Sequence, residues 1–281
     1  MSKKVYELVT QKIIKKLEKG AVPWKKPFAE RQAVNWLTQR PYRGINTLLL
    51  DGGEYATYKQ IIEHGGQVKK GEKSHIVVFF KWIEIEQEKD GESEVKKIPL
   101  LRYYRVFEIN TQCKGLESRR KDEIFDHNPI EKAERIVQGY SNAPKISHVS
   151  GRAYYSPLED RVNVPNKRDF EKVEDYYSVL FHELIHSTGH KSRLNREGIV
   201  SLANNPFGSE EYSKEELIAE IGASMLCGVV GIEHATLDNT TAYIQGWLKA
   251  LKNDKRLIIL ASQQAQKASD YILGEKGDLY D

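Results

Sequence analysis

Apolar positions keep helical spacing in some stretches of the chain and strand-like composition in others, and this sorts the sequence into elements. Tyr6, Val9, Ile13 and Leu17 form one stripe of residues 3–19, ringed by Lys3, Lys12, Lys15, Lys16 and Lys19. They predict an amphipathic helix that Gly20 ends. Tyr58–His64 reads as a short helix stopped by Gly65-Gly66. The stretches 67–69, 75–82 and 100–109 read as strands, the second being a run of β-branched and aromatic residues. The charged segment Glu84–Lys97 reads as an exposed hairpin or loop, and 114–130 as a linker. Beyond it, Ala153–Pro165 resembles a hairpin. Residues 170–189 carry Val173, Tyr177, Leu180 and Leu184 at helical spacing, with Gly189 as a helix stop. Residues 213–226 read as a further helix with Ser213 as N-cap, and 240–272 as mostly helical. The fold class is therefore α+β in two domains: a small α+β unit over 1–125, then a mainly helical unit with a short sheet over 126–281.

Charge strengthens that division. The 281 residues carry a net charge of +3, but residues 1–125 hold +8 and residues 126–281 hold −5. A basic half draws polyanions, nucleic acid foremost, whereas an ordinary basic surface would account for the charge alone. No stretch approaches the ~18 apolar residues of a membrane span. The N-terminus lacks the apolar core of a signal peptide. Cys113 and Cys227 are far apart and form no metal-type spacing. They read as free thiols of a reducing compartment, which predicts a cytoplasmic location.

The sharpest chemical signal is His182-Glu183-Leu184-Ile185-His186, an H-E-x-x-H sequence within the 170–189 helix. Residues i and i+4 share a helix face, so two imidazoles can hold one metal ion, with Glu183 as general base for metal-assisted hydrolysis. Two histidines on a structural helix are the plain alternative. A catalytic metal needs a third protein ligand. A third histidine in H-E-x-x-H-x-x-G-x-x-H would fall at position 192, which is Ser192. His190 lies too early for that role; it either holds a transition-state oxygen or is a solvated loop residue. Glu216 and Glu220, four apart on the next helix, offer carboxylates instead. Glu216 is assigned to the metal and Glu220 to the N–H of a ligating histidine, with the reverse assignment as competitor. Glu216 also fits a capping box with Ser213, which needs no metal. Histidine and carboxylate ligation suits Zn2+, with Mn2+ or another divalent ion as alternative.

The basic half also carries what single-stranded nucleic acid binding needs, cations beside aromatic faces. Candidates are Trp24, Lys25, Arg40, Tyr42, Arg43, Asn46, Lys70, Lys73 and Trp82. For any single aromatic residue, core packing is the competing role.

Taken together, Val22–Pro27, Pro41–Asn46, Gly65–Lys73, Tyr104–Phe107, the HELIH helix with its Thr188-Gly189-His190 tail, and Tyr212–Leu226 resemble the ArdC-type antirestriction proteins of conjugative plasmids and other mobile elements. The resemblance covers nearly the whole chain. It implies an N-terminal domain that binds single-stranded DNA, also found fused to plasmid primases, and a C-terminal zincin-like metallopeptidase domain. It further implies protection of incoming DNA from host restriction; a peptide or protein is the candidate substrate of the metal site, and the family pattern does not fix whether one is cut. Two other functions fit the same residues: a DNA-binding protection protein with a non-catalytic metal site, and an intracellular metallopeptidase with a basic partner-binding domain.

Overall fold

The computed structural model describes residues 2–24, 32–89, 92–120, 129–149, 151–200, 210–232 and 241–275, with side chains at 2, 81–89, 92–99, 210–212 and 241–243 excepted. The chain divides into two compact units. Among the described residues, those up to 12 join 32–120 in the first unit, and 13–24 join those from 129 onward in the second.

The predicted amphipathic helix is α1 (Ser2–Glu18), with Val9, Ile13 and Leu17 buried and Gly20 beyond its end at φ +75°. The first unit continues with β1 (Val34–Asn35), α2 (Asn46–Leu49), β2 (Glu54–Thr57), α3 (Tyr58–Glu63), β3 (Gln67–Val68), β4 (His75–Lys89), β5 (Glu92–Glu108), α4 (Ile109–Gln112) and β6 (Cys113–Lys114). The strands make a sheet in the order β1-β2-β5-β4, and β3 pairs with β6. Tyr55 and Ala56 are neighbours on β2, so they point to opposite faces. One packs with Ala33, Leu50, Val77 and Val106. The other packs with Trp36, Ile61, Ile109 and Cys113. α3 starts at a capping box between Thr57 and Gln60, which satisfies backbone donors that a helix start leaves open. The β4–β5 ladder runs through the charged stretch to Lys89↔Glu92, so that segment extends the hairpin.

The described part of the second unit holds α5 (Pro129–Gly139), β7 (Lys145–Ser147), β8 (Tyr154–Ser156), β9 (Arg161–Asn163), α6 (Val173–Ser187), α7 (Glu197–Val200), α8 (Glu210–Val230), α9 (Thr241–Asn253) and α10 (Leu257–Leu273). A small sheet runs β7-β9-β8, with β8 antiparallel to β9 and on one edge. Every residue of α6 from Tyr176 to Ser187 is buried. A helix covered on all sides is a core element; α8, α10, α5 and the β8–β9 hairpin all pack on this one. α8 approaches closely because Gly222 faces Ile185: a Cβ at 222 would lie 2.7 Å from that side chain. Trp24 belongs to this unit. It is fully buried, its ring edge-on to Trp247 at 4.9 Å, and its carbonyl accepts from the Ser224 hydroxyl at 2.6 Å. No helix among the described residues is long and apolar enough to cross a membrane.

Candidate metal centre

α6 presents His182 and His186 one turn apart, and their Nε2 atoms lie 3.1 Å from each other. α8 brings Glu216 between them: one carboxylate oxygen is 3.5 Å from His182 Nε2, the other 3.5 Å from His186 Nε2. Ligands at tetrahedral positions with bonds of about 2.0–2.1 Å stand about 3.3 Å apart. These three side chains therefore have the chemistry and the spacing to hold one divalent ion. Among the described residues they are the group of histidines, cysteines and carboxylates whose ligand atoms converge in this way.

The remaining imidazole nitrogens face carboxylates. His186 Nδ1 lies 3.3 Å from Glu215 Oε1. His182 Nδ1 lies 3.6 Å from Glu220 Oε1, beyond hydrogen-bond length, and makes no hydrogen bond. Donation from Nδ1 leaves the Nε2 lone pair directed at the shared point, which is the arrangement metal-bound histidines adopt. The pairing of 215 with 186 and of 220 with 182 shows that α8 ascends as α6 descends. α8 begins at Glu210, so Ser213 lies inside the helix and does not cap it. That corrects the capping-box reading and leaves Glu216 unused by helix initiation.

Glu183 is buried on the same helix. Burial raises its pKa, while the neighbouring imidazoles oppose the rise. Glu216 moves the other way: burial would raise its pKa, but bonds to His182 and His186 hold it well below the ordinary carboxylate range. Burial would lower the pKa of His186, yet Glu215 and Glu216 lift it to about 10. His190 stands apart from the cluster, its Nδ1 2.7 Å from Ser192 Oγ in the loop after the helix.

Two contributors escaped the sequence reading. Glu215 sits about 100° around the helix from Glu216, so it reads as off the metal face. Arg196, in the loop after α6, is buried and binds Glu215 with Nε at 3.1 Å and also through Nη2. It ties that carboxylate to the end of α6 through Thr188 Oγ1 and the Ile185 carbonyl. Gly189 makes room for it, since a Cβ there would lie 3.0 Å from Arg196 Nη2 and 2.5 Å from Ile199.

The nucleic-acid candidates are scattered. Lys70 and Lys73 are exposed around Gly71, whose φ is +89°. Arg40 is exposed, and Arg43 is half-buried. Tyr42 is half-buried against the Tyr55 core. Two expectations need correction. Trp24 is a packing residue of the second unit with no open ring face. Asn46 is buried and commits both amide atoms to the Val78 backbone, at 2.9 and 2.7 Å. Lys25 and the Trp82 side chain lie outside the described residues.

Comparisons with known proteins find two family regions along the chain. A family model described as the N-terminal domain of anti-restriction factor ArdC matches residues 3–107, and one described as zincin-like metallopeptidase matches 131–264. The chain is 35% and 34% identical to two Escherichia coli proteins named DNA primase TraC, covering 96% and 97% of itself but only 20% and 27% of them. It thus spans about a fifth to a quarter of those relatives. It is 31% identical to the uncharacterized protein y4eC of Sinorhizobium fredii, with 98% of this chain and 93% of that one covered. Two crystal structures of the antirestriction protein ArdC from plasmid R388 superimpose on it. The metal-free form has a TM-score of 0.73 at 38% identity, covering 95% of this chain and 96% of that one. The Mn(II)-bound form has 0.74 at 36%, covering 96% and 97%.

Proposed function

We propose a function for a chain that belongs to the family of ArdC-type antirestriction proteins: its first unit binds single-stranded DNA, and its second holds a divalent metal at a peptidase-like site. Together they protect incoming DNA from host restriction. The observation that carries the metal reading is the convergence of His182, His186 and Glu216 beside the buried Glu183. The manganese in the R388 relative supports a divalent ion, and His/Glu ligation suits zinc equally. The net charge of +8 over residues 1–125, with kinship to part of a DNA primase, supports a DNA-facing first unit.

When bound, the ion supplies Lewis acidity that polarises a carbonyl and acidifies water. The chain's residues do the rest. His182, His186 and Glu216 hold the ion. Glu215 orients the His186 imidazole, and Glu220 faces His182 Nδ1 from 3.6 Å. Glu183, with its pKa raised by burial, takes a proton from the attacking water and returns it to the leaving amine.

The test pairs two measurements on Glu183→Gln. The variant keeps wild-type metal stoichiometry and loses hydrolysis of a peptide library by about 10²- to 10⁴-fold. Undiminished cleavage overturns the general-base role. Full protection of transformed DNA by the same variant assigns antirestriction to DNA binding without peptide hydrolysis.

A further inference from the structure

Of the aromatic residues that the sequence offered for base stacking, Trp24 is buried and Tyr42 half-buried, which raises the question of where the first unit keeps open aromatic faces. Trp36 is buried beneath the Arg119 guanidinium, 4.1 Å from its ring, and Tyr55 lies in a core. Among the described residues of the first unit, the exposed large aromatics are Tyr58, Tyr103 and Tyr104. Two of them adjoin in the middle of β5, within Arg102-Tyr103-Tyr104-Arg105.

That tetrad breaks the rule for a strand. Consecutive residues point to opposite faces, so a strand with one face on a core alternates between buried and exposed. Here Leu101 and Val106 are buried at either end and the four residues between them are all exposed. Topology explains it. β4 covers one edge of β5 throughout, with Val77↔Tyr104 and Val78↔Tyr103 in register. β2 covers the other edge only at Val106–Glu108. From Arg105 back to Arg102 that second edge has no strand on it among the described residues, and these four β5 side chains are exposed while their β4 partners Ile76, Val77 and Val78 are buried. Arg102 and Tyr104 share one face; Tyr103 and Arg105 share the other. Each face thus offers a guanidinium and a phenol ring two residues apart.

The charge is one-sided. Neither 75–83 nor 98–107 contains an acidic residue. Among the described residues, no ion pair engages Arg102 or Arg105. α3 packs on β5 as well and adds Tyr58, 59% exposed, at its start. Exposed tyrosines cost solvation and exposed unpaired arginines cost mutual repulsion, so a monomer gains nothing in stability from this tetrad. A polyanion with unstacked bases is the partner whose chemistry matches it. Duplex DNA hides its base faces, whereas a single strand offers both phosphate and ring.

We infer that the open edge of β5 at Arg102–Arg105 is a single-strand binding track, with Tyr103 and Tyr104 stacking on bases and Arg102 and Arg105 meeting phosphates. The inference rests on the proposal that the first unit binds single-stranded DNA.

The experiment is fluorescence anisotropy of a labelled oligothymidylate titrated with the full-length protein over a range of salt. Tyr103→Ala/Tyr104→Ala weakens binding about tenfold or more while leaving the salt slope unchanged. Arg102→Ala/Arg105→Ala weakens binding and flattens the slope by about 0.7 for each phosphate no longer neutralised. Tyr103→Phe/Tyr104→Phe keeps wild-type affinity, because the ring face is retained. Wild-type affinity in both alanine pairs overturns the track and leaves the edge to a peptide strand, while the DNA-binding proposal stands. A wild-type protein that fails to bind the oligonucleotide at low salt overturns the DNA-binding proposal itself.

Discussion

Glu215 holds His186 by its rear nitrogen: Oε1 lies 3.3 Å from Nδ1, and the same carboxylate is gripped by Arg196 Nε at 3.1 Å. The imidazole is thereby fixed with Nε2 toward Glu216 before any ion arrives. Removing such a partner typically lowers metal affinity about 10–100-fold. Glu215→Gln is expected to fall in that range when the protein competes with a chromogenic chelator for Zn2+. Unchanged affinity would mean that the carboxylate packs the core without orienting the ligand.

Arg196 itself is a different case. Arg196→Ala leaves a buried carboxylate uncompensated, at a cost of about 3–5 kcal/mol. Denaturant unfolding of the metal-free protein reads this directly. Replacing Arg196 and Glu215 together, by Met and Leu, recovers most of the stability but none of the metal affinity.

Metal uptake depends on pH in a definite direction. Burial favours neutral His186, but Glu215 and Glu216 outweigh it and lift the pKa to about 10. A metal takes the neutral imidazole and displaces that proton. Affinity therefore rises with pH across the neutral range, by up to about tenfold per unit for each proton displaced. The stability of the metal-free protein runs the other way. A pKa raised by folding contributes fully below about 6.5, the unfolded value, and that contribution is lost as pH climbs toward 10. Thermal melts with chelator should lose stability between those limits, and melts with saturating metal should lose less.

Much of the site was legible and much of its support was not. His182, Glu183 and His186 follow from a four-residue spacing on a helix, and Glu216 from a second helix with the same spacing. Local periodicity carries that information. Glu215 and Arg196 depend on how two helices and a loop meet, and no local pattern records the crossing. The first unit shows the same limit. β4, β5 and α3 were visible as strand-like runs and a Gly-stopped helix, but β2's reach along β5 was not, and it decides which aromatics are open. Trp24 and Asn46 sit among cationic residues in sequence while their side chains face a buried tryptophan and a strand backbone.

The close approach of α6 and α8 invites a steric test. A Cβ at Gly222 meets three atoms of Ile185 at 2.7–3.0 Å. Gly222→Val overpacks this crossing and costs about 1–3 kcal/mol. It also pushes Glu216 away from the histidines, so metal affinity falls with stability. Ile185→Ala in the same chain restores both in part; a melt that shows no rescue places the clash elsewhere.

Trp24 defines a further test. Trp24→Ala empties a fully buried site, with an expected loss of about 3–5 kcal/mol borne by the second unit. A fragment beginning at residue 126 lacks that ring as well, and its melting temperature should lie well below that of the whole chain's second unit.

The Trp24–Trp247 pair also sets an order of events during synthesis. The Trp247 ring leaves the ribosome more than two hundred residues after the Trp24 ring. At roughly 5–20 residues per second, roughly ten seconds or more separate the two. The second unit cannot close on the segment that carries Trp24 until Trp247 has been made. In that interval Trp24 is an exposed apolar surface that a chaperone can bind.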